Sequence, residues 1–235
     1  MRVTLDGKIV NPILGHGEYL DKYFAYGIRN SFGIDFDPLT GTLWDTENGP
    51  QFGDEINLVE PGFNSGWRKV QGVWHYTDDA IGRKFHAMNA LTNFNGKGKY
   101  SSPEFSWNNT IGVTDLAFLN SKKLGQNFEN DIFVGDFGNG YLYHFDMNIN
   151  RTGLVLHVPL KDKIANSYDE LGSIILAEGF GGITDLEVGP DGFLYILATS
   201  KGGSNCDPNI QDQFCVPYAS RNKGTVYRIV SDSKN

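Results

Sequence analysis

The sequence predicts an all-β chain organised as a β-propeller, and three observations carry that expectation. Apolar residues recur with a period of two rather than 3.6, the spacing of half-buried strands. Three stretches, SFGIDFDPLTGTLWDTEN (31–48), NDIFVGDFGNGYLYHFDM (130–147) and ITDLEVGPDGFLYILATS (183–200), each read as strand, turn, strand. A tetrapeptide Gly-x-Leu/Val-Trp/Tyr occurs four times, at Gly41–Trp44, Gly140–Tyr143, Gly192–Tyr195 and Gly224–Tyr227. Its glycine closes a turn and its two apolar residues begin a strand. Self-similarity at intervals of a few tens of residues marks a repeated sheet module, and the uneven spacing argues against a tight solenoid.

Taken in order, GEYLDKYFAYG near the N-terminus is one of two stretches that allow a helical turn; SKKLGQNFEN, 121–130, is the other. The first hairpin turns at Asp-Pro-Leu-Thr-Gly, where proline presets one dihedral and glycine accepts a positive φ. The second and third hairpins turn at Gly-Asn-Gly and Pro-Asp-Gly. Propellers close four to eight blades of four strands into a ring, and four marks in 235 residues supply three to four blades. The chain is therefore expected to be a single propeller domain over 1–235, either a small ring or a portion of a larger one. An open ring leaves unpaired strand edges, so a homodimer through those blade edges is expected.

Composition narrows the partners. A net charge of −8, with no run of Lys and Arg, excludes a phosphate-backbone partner: no nucleic acid is expected. No apolar stretch reaches the roughly 20 residues of a transmembrane helix. Cys206 and Cys215 lie in a polar loop. A disulfide there would stabilise the loop by about 2–4 kcal/mol and imply an oxidising compartment; two unpaired thiols are the alternative. The Asn-x-Thr triplets at 108–110 and 150–152 fit glycosylation acceptors but are frequent by chance.

The segment DTENGPQFGDEINLVEPG, 45–62, is the least generic. Asp45, Glu47, Asp54 and Glu55 fall within eleven positions around a Gly-Pro turn that no helix could traverse. Hard cations such as Ca²⁺ take six to eight oxygens from carboxylates, carbonyls and water, and such a segment offers them. A solvated acidic turn satisfying its own backbone N–H groups is the alternative.

The stretch Tyr26–Trp67 resembles the signature of the glucose/sorbosone dehydrogenase family, soluble sugar dehydrogenases that use pyrroloquinoline quinone (PQQ). The shared blocks are Arg-Asn at 29–30, Asp-Pro-Leu-Thr-Gly at 37–41, Glu-Asn-Gly-Pro at 47–50, Asp-Glu-Ile-Asn-Leu at 54–58 and Gly-Phe-Asn-Ser-Gly-Trp at 62–67. Weaker copies of later blocks extend the resemblance over nearly the whole chain. It implies a six-bladed propeller, of which this chain resembles the C-terminal part or a shortened relative, and an exported, extracytoplasmic setting.

The resemblance further implies a PQQ- and calcium-dependent aldose dehydrogenase acting on a sugar or alcohol by hydride transfer to the quinone. The carbonyls of Gly49 and Pro50 would coordinate the quinone-bridging Ca²⁺. Glu55 would ligate a second Ca²⁺ together with carbonyls at Ser65, Gln71 and Val73. Arg29, Asn30 and Thr110 would face the quinone, Arg29 because its fork binds carboxylates bidentately. Departures are equally specific. The family's Lys and Arg-x-Arg fall at Gly138–Gly140 and at Gly182 and Thr184, a Gln is replaced by Phe32, and an Asp of the second calcium site by His75, near Asp78 and Asp79. His16, His75, His86, His144 and His157 all lie outside blocks resembling the catalytic one, so the catalytic residue stays unassigned. A calcium-stabilised propeller that binds glycan or protein without redox chemistry is the alternative reading.

Overall fold

The computed structural model describes residues 1–17, 19–75, 91–204 and 217–231. Asp78, Asp79, His86, Cys206 and Cys215 lie outside the described residues. Sixteen strands account for nearly all the regular structure there, and the only helical pieces are 3₁₀ turns. Two of these, Leu20–Lys22 and Gln126–Phe128, fall where the sequence allows a turn; Leu160–Asp162 and Tyr168–Ser173 are further ones that carry no sequence signal beyond their polar character.

In chain order the strands are β1 (Ser31–Phe36), β2 (Leu43–Glu47), β3 (Asp54–Val59), β4 (Phe63–Asn64), β5 (Val70–Gln71), β6 (Trp74–His75), β7 (Lys99–Tyr100) and β8 (Phe105–Trp107). They continue with β9 (Val113–Phe118), β10 (Ile132–Asp136), β11 (Leu142–Phe145), β12 (Ile164–Ala165), β13 (Ile175–Ala177), β14 (Gly182–Val188), β15 (Leu194–Ser204) and β16 (Pro217–Arg228). Three main sheets result, in the orders β1-β2-β3-β8-β12, β13-β11-β10-β9 and β14-β15-β16, with β4-β7 and β5-β6 as small satellites. Pairing is antiparallel except for β8 with β12 and β4 with β7.

The three expected hairpins form as β1–β2, β10–β11 and β14–β15. Their turns share one construction: an aspartate caps backbone N–H groups, and a glycine follows at φ of +70 to +79°. Asp37 takes Leu39 N, Asp136 takes Gly140 N, and Asp191 takes Phe193 N. The fourth mark behaves differently. Gly224 lies inside β16, opposite Thr199, at a negative φ, because β15 and β16 are long strands that run past it.

Strands β1, β9 and β14 are each the first strand and an edge of a sheet, and they lie side by side. The middle sheet packs on both neighbours. Leu116, Phe118, Ile132 and Val134 meet Trp44, Ile56, Phe105 and Trp107 of the first sheet. The alternate residues Ala117, Leu119, Phe133 and Leu142 meet Ile183, Leu186, Leu194 and Ile196 of the third. Period two thus places one residue set in each of two cores.

Candidate active-site cleft and carboxyl square

The Asp45–Glu55 carboxylates are not a solvated turn. They sit on strands, at the end of β2 and the start of β3, and all four are buried. The registers Asp45↔Asn57 and Glu47↔Glu55 put three of these carboxyls, with Asn57, on one sheet face as a square. Residues 60–75 cover that square. Ser65 Oγ lies 2.8 Å from Glu47 Oε2 and 2.9 Å from Glu55 Oε1. A hydroxyl has one proton and can donate to only one of them, so the other contact runs through a proton held by a carboxyl.

Like charges directly opposite across a ladder repel, and burial removes the water that would offset this. Burial pushes Glu47 up to about 7, with the Asp45 charge adding to the rise and the N–H of Arg29 opposing it. Glu55 is raised well above the usual carboxyl range, by burial first and the Glu47 charge second. Burial lifts Asp45 to about 6 against the nearby Asn57 and Ser31. Glu55 Oε2, Asp45 Oδ1 and Gln71 Oε1 are buried without a hydrogen-bond partner, and neither amide atom of Asn57 reaches good hydrogen-bond geometry. Buried polar atoms without partners are rare.

Gln71 enters from β5 and donates through Nε2 to Gly53 O at 2.8 Å, which fixes the β5–β6 turn against the start of β3. Val73 follows in that turn. Ser65 thus meets Glu55 at the square through its hydroxyl, whereas Gln71 is tied to Gly53, next to Asp54.

On the other side of the β2–β3 loop a cleft of about 970 Å³ opens between the first two sheets and the edge of the third. Arg29, Asn30, Gly49, Pro50 and Thr110 all line it, so five residues singled out from the sequence share one cavity. Arg29 makes no ion pair with a described residue. Its Nη1 donates to Asn48 O at 2.8 Å and its guanidinium lies 5.3 Å from the Trp67 ring centroid. Glu47 accepts Arg29 N at 2.5 Å, so one hydrogen bond joins the square to the cleft.

Asp54 is the site residue whose role the sequence did not disclose. Its carboxylate accepts Gly49 N (2.8 Å) and Thr110 Oγ1 (2.7 Å) on Oδ1, and Ile111 N (2.8 Å), Gly112 N (2.8 Å) and Val113 N (3.2 Å) on Oδ2. One buried carboxylate thus ties the Gly-Pro loop to the 110–113 segment and shapes the wall of the cleft. Thr110 spends its proton on this bond and offers the cleft only an acceptor. A buried acid next to a glycine-rich turn was the available signal, but four of its five partners lie more than fifty residues away.

Phe32, Phe137, Gly138, Asn139, Tyr168 and Thr184 also line the cleft. Of the positions expected to have lost cations, Gly138, Asn139 and Thr184 line the same cavity and Gly140 and Gly182 do not, and Arg29 is its sole cation among the described residues. Gly138 has no room for a longer side chain, since a Cβ there would stand 2.3 Å from Ile111 O. At Gly182 a Cβ would stand 2.7 Å from the Phe137 ring. No described histidine lines the cleft. His144 packs on Phe128 and Phe133 and contacts Asp131 at 3.1 Å, while His16 and His157 are exposed.

A family model described as glucose/sorbosone dehydrogenase matches residues 1–206. Aldose sugar dehydrogenase YliI of Escherichia coli (strain K12) is 29% identical over 205 residues, covering 86% of this chain and 48% of that protein. A crystal structure of glucose dehydrogenase aligns with a TM-score of 0.65 at 20% identity, over 98% of this chain and 54% of that one. The PQQ-bound form of aldose sugar dehydrogenase from Streptomyces coelicolor aligns with a TM-score of 0.50 at 19% identity, over 84% of this chain and 44% of that one. The chain spans about half the length of the curated relatives it matches. No helix among the described residues is long and apolar enough to cross a membrane. By the match over most of its length, the chain belongs to the glucose/sorbosone dehydrogenase family.

Proposed function

We propose that this chain carries the calcium-bearing wall of a quinone-dependent sugar dehydrogenase site, with its three main sheets acting as blades of a larger propeller. The observation that carries the reading is the convergence of Arg29, Asn30, Gly49, Pro50 and Thr110 on one cleft that the Arg29 N–H ties to Glu47 of a buried acidic square. The square fits Ca²⁺: its carboxyls offer hard oxygens and repel one another, and Glu55 Oε2 and Asp45 Oδ1 are buried without partners. Glu55 and the backbone at Ser65, Gln71 and Val73 would hold one ion, and the carbonyls of Gly49 and Pro50 another at the cleft.

For the quinone the fit is partial. Arg29 suits one carboxylate of such a tri-acid, and Asn30 its carbonyls, but the cleft has no second cation among the described residues. Each missing charge-assisted bond forfeits about 1.5–3 kcal/mol. These residues alone do not complete a quinone site. In the sugar-oxidising reading a general base and further cations come from outside the described cleft, and this chain's part is to hold calcium and orient one edge of the cofactor. Its substrate class would be neutral aldoses, and its setting extracytoplasmic, as the family resemblance implies.

Phe32, Gly138 and Thr184, in place of polar or cationic groups, favour a second reading: a calcium-stabilised propeller that binds glycan or protein without redox chemistry. Titration of the calcium-loaded chain with PQQ, followed by tryptophan fluorescence, separates the two. Weak binding that requires calcium and falls further with Arg29→Ala supports the dehydrogenase reading. Binding indifferent to both calcium and Arg29, or no binding at all, overturns it.

A further inference from the structure

The β10–β11 hairpin carries a second cluster of ligating side chains at the end remote from the cleft. Phe133 pairs with His144 and Ile132 with Phe145, so Asp131 and Asp146 are the next residues outward where the ladder stops. His144 and Asp146 stand two apart and share one face of the extended chain. The hairpin turn at Gly138 and Asn139, which lines the cleft, lies roughly 16 Å away along the five residues of β10, at about 3.3 Å each.

One ligating atom from each of Asp131, His144 and Asp146 lies within 4.8 Å of the other two. His144 Nε2 stands 3.1 Å from Asp131 Oδ2 and 3.8 Å from Asp146 Oδ1. Bonds of about 2.0–2.2 Å to nitrogen and oxygen put the ligands of a tetrahedral zinc ion about 3.3–3.6 Å apart, so both spacings need only small side-chain adjustments. A ring nitrogen carries at most one proton, so a hydrogen bond to Asp131 leaves Asp146 unengaged, whereas an ion engages both. Two of the three groups are already held from behind. Asp131 accepts Met147 N on Oδ1 at 3.1 Å, which turns Oδ2 towards the imidazole, and its carbonyl accepts Leu119 N at 3.1 Å. The His144 ring packs on Phe128 and Phe133, with centroids 4.9 and 5.1 Å away. Asp146, its side chain 56% exposed, is the open side through which an ion enters.

We propose that Asp131 Oδ2, His144 Nε2 and Asp146 Oδ1 form a binding site for a divalent cation of the zinc class, separate from the cleft and from the acidic square. Imidazole nitrogen suits Zn²⁺ and its first-row neighbours, whereas Ca²⁺ takes oxygens in sets of six to eight, so the trio discriminates against the ion proposed for the square. Two carboxylates balance the charge of the ion, and three protein ligands leave a fourth tetrahedral position to water. The bound ion ties the chain entering β10 to the chain leaving β11 and clamps that end of the middle sheet. The proposal stands apart from the functional reading, since it uses no residue of the cleft or the square.

Calorimetric titration of Zn²⁺ into the metal-stripped chain, with Ca²⁺ in excess throughout to occupy the square, tests it. The expected result is saturable zinc binding that calcium does not displace and that weakens by more than about tenfold in Asp146→Asn and in His144→Gln, because even groups that merely hydrogen-bond metal ligands are worth about 10–100-fold in affinity. Asp146→Asn is a near-isosteric change at an exposed position and is expected to keep the fold, even where His144→Gln disturbs the packing on Phe128 and Phe133. Co²⁺ in place of Zn²⁺ gives a second readout, the visible absorption of a four- or five-coordinate ion, expected in the wild type and lost in both variants. Absence of zinc binding in excess calcium overturns the proposal. So does zinc binding or cobalt absorption that is equal in the wild type and Asp146→Asn, which would place the ion on other histidines or on Cys206 and Cys215.

Discussion

Glu47 and Glu55 stand directly opposite each other across β2 and β3, both buried, with Ser65 Oγ within 2.9 Å of each. Two like charges placed this way destabilise the fold unless a proton or a cation intervenes.

The metal-free protein is therefore expected to lose stability as pH rises. The folded carboxyls of Asp45 and Glu47, at about 6 and about 7, lie above their ordinary values of 3.8 and 4.5, so the native state binds more protons than the unfolded chain in between. That stabilisation is fully present below pH 3.8 for Asp45 and 4.5 for Glu47, and is lost as pH rises through 6 and 7. In EDTA the melting temperature should fall between pH 5 and pH 8 by several degrees, at roughly 2–4 °C per kcal/mol for a chain of this size. A melting temperature that rises over that interval would contradict the assignment.

Glu55→Gln should have opposite effects with and without metal. In EDTA the variant replaces a buried carboxyl that is costly to ionise beside Glu47 with a neutral amide, so it should lose less stability than the wild type as pH rises. With calcium it loses a ligand, so the rise that calcium gives the wild type should shrink or vanish, because only a ligand of the folded state stabilises by mass action. Equal calcium responses in both proteins would show that Glu55 does not ligate.

Asp54→Ala should be the most damaging single change near the cleft. It strands four N–H groups and one hydroxyl and should cost at least about 3 kcal/mol in urea denaturation, since each unsatisfied buried donor costs about 1–3 kcal/mol. A loss below about 1 kcal/mol would mean that the loops are held elsewhere.

Thr184→Arg should restore one cation to the cleft from an exposed position and tighten quinone binding by about tenfold, the equivalent of 1.4 kcal/mol. Gly138→Lys should instead disturb the fold, because its Cβ would clash with Ile111 O. Unchanged quinone affinity in Thr184→Arg would place the cofactor's carboxylates away from the third sheet.

Much of this architecture was legible because it is local. The hairpins at 31–47, 132–145 and 182–204 follow from alternation and from Asp and Gly in the turns, both short-range signals. The cleft residues were legible through a family motif concentrated in Tyr26–Trp67. What could not be read depends on contacts across the chain. Asp54 looks like one more acid of an acidic loop until residues 110–113 close over it. The square arises from β2–β3 register, which sets Glu47 against Glu55 only once the strands pair. Gly224 carries the same local mark as Gly41 yet lies mid-strand, because pairing with β15 overrides the turn signal.

The claim on which the functional reading rests is that this chain builds a calcium site of its own. Calorimetric titration of Ca²⁺ into EDTA-treated, dialysed protein near pH 7, repeated in buffers of different ionisation enthalpy, tests it most directly. The account predicts saturable binding with release of protons from the carboxyl square, since a metal needs deprotonated ligands, and loss of that proton release in Glu55→Gln. Absence of binding, or an isotherm that is independent of buffer and unchanged in Glu55→Gln, would contradict it.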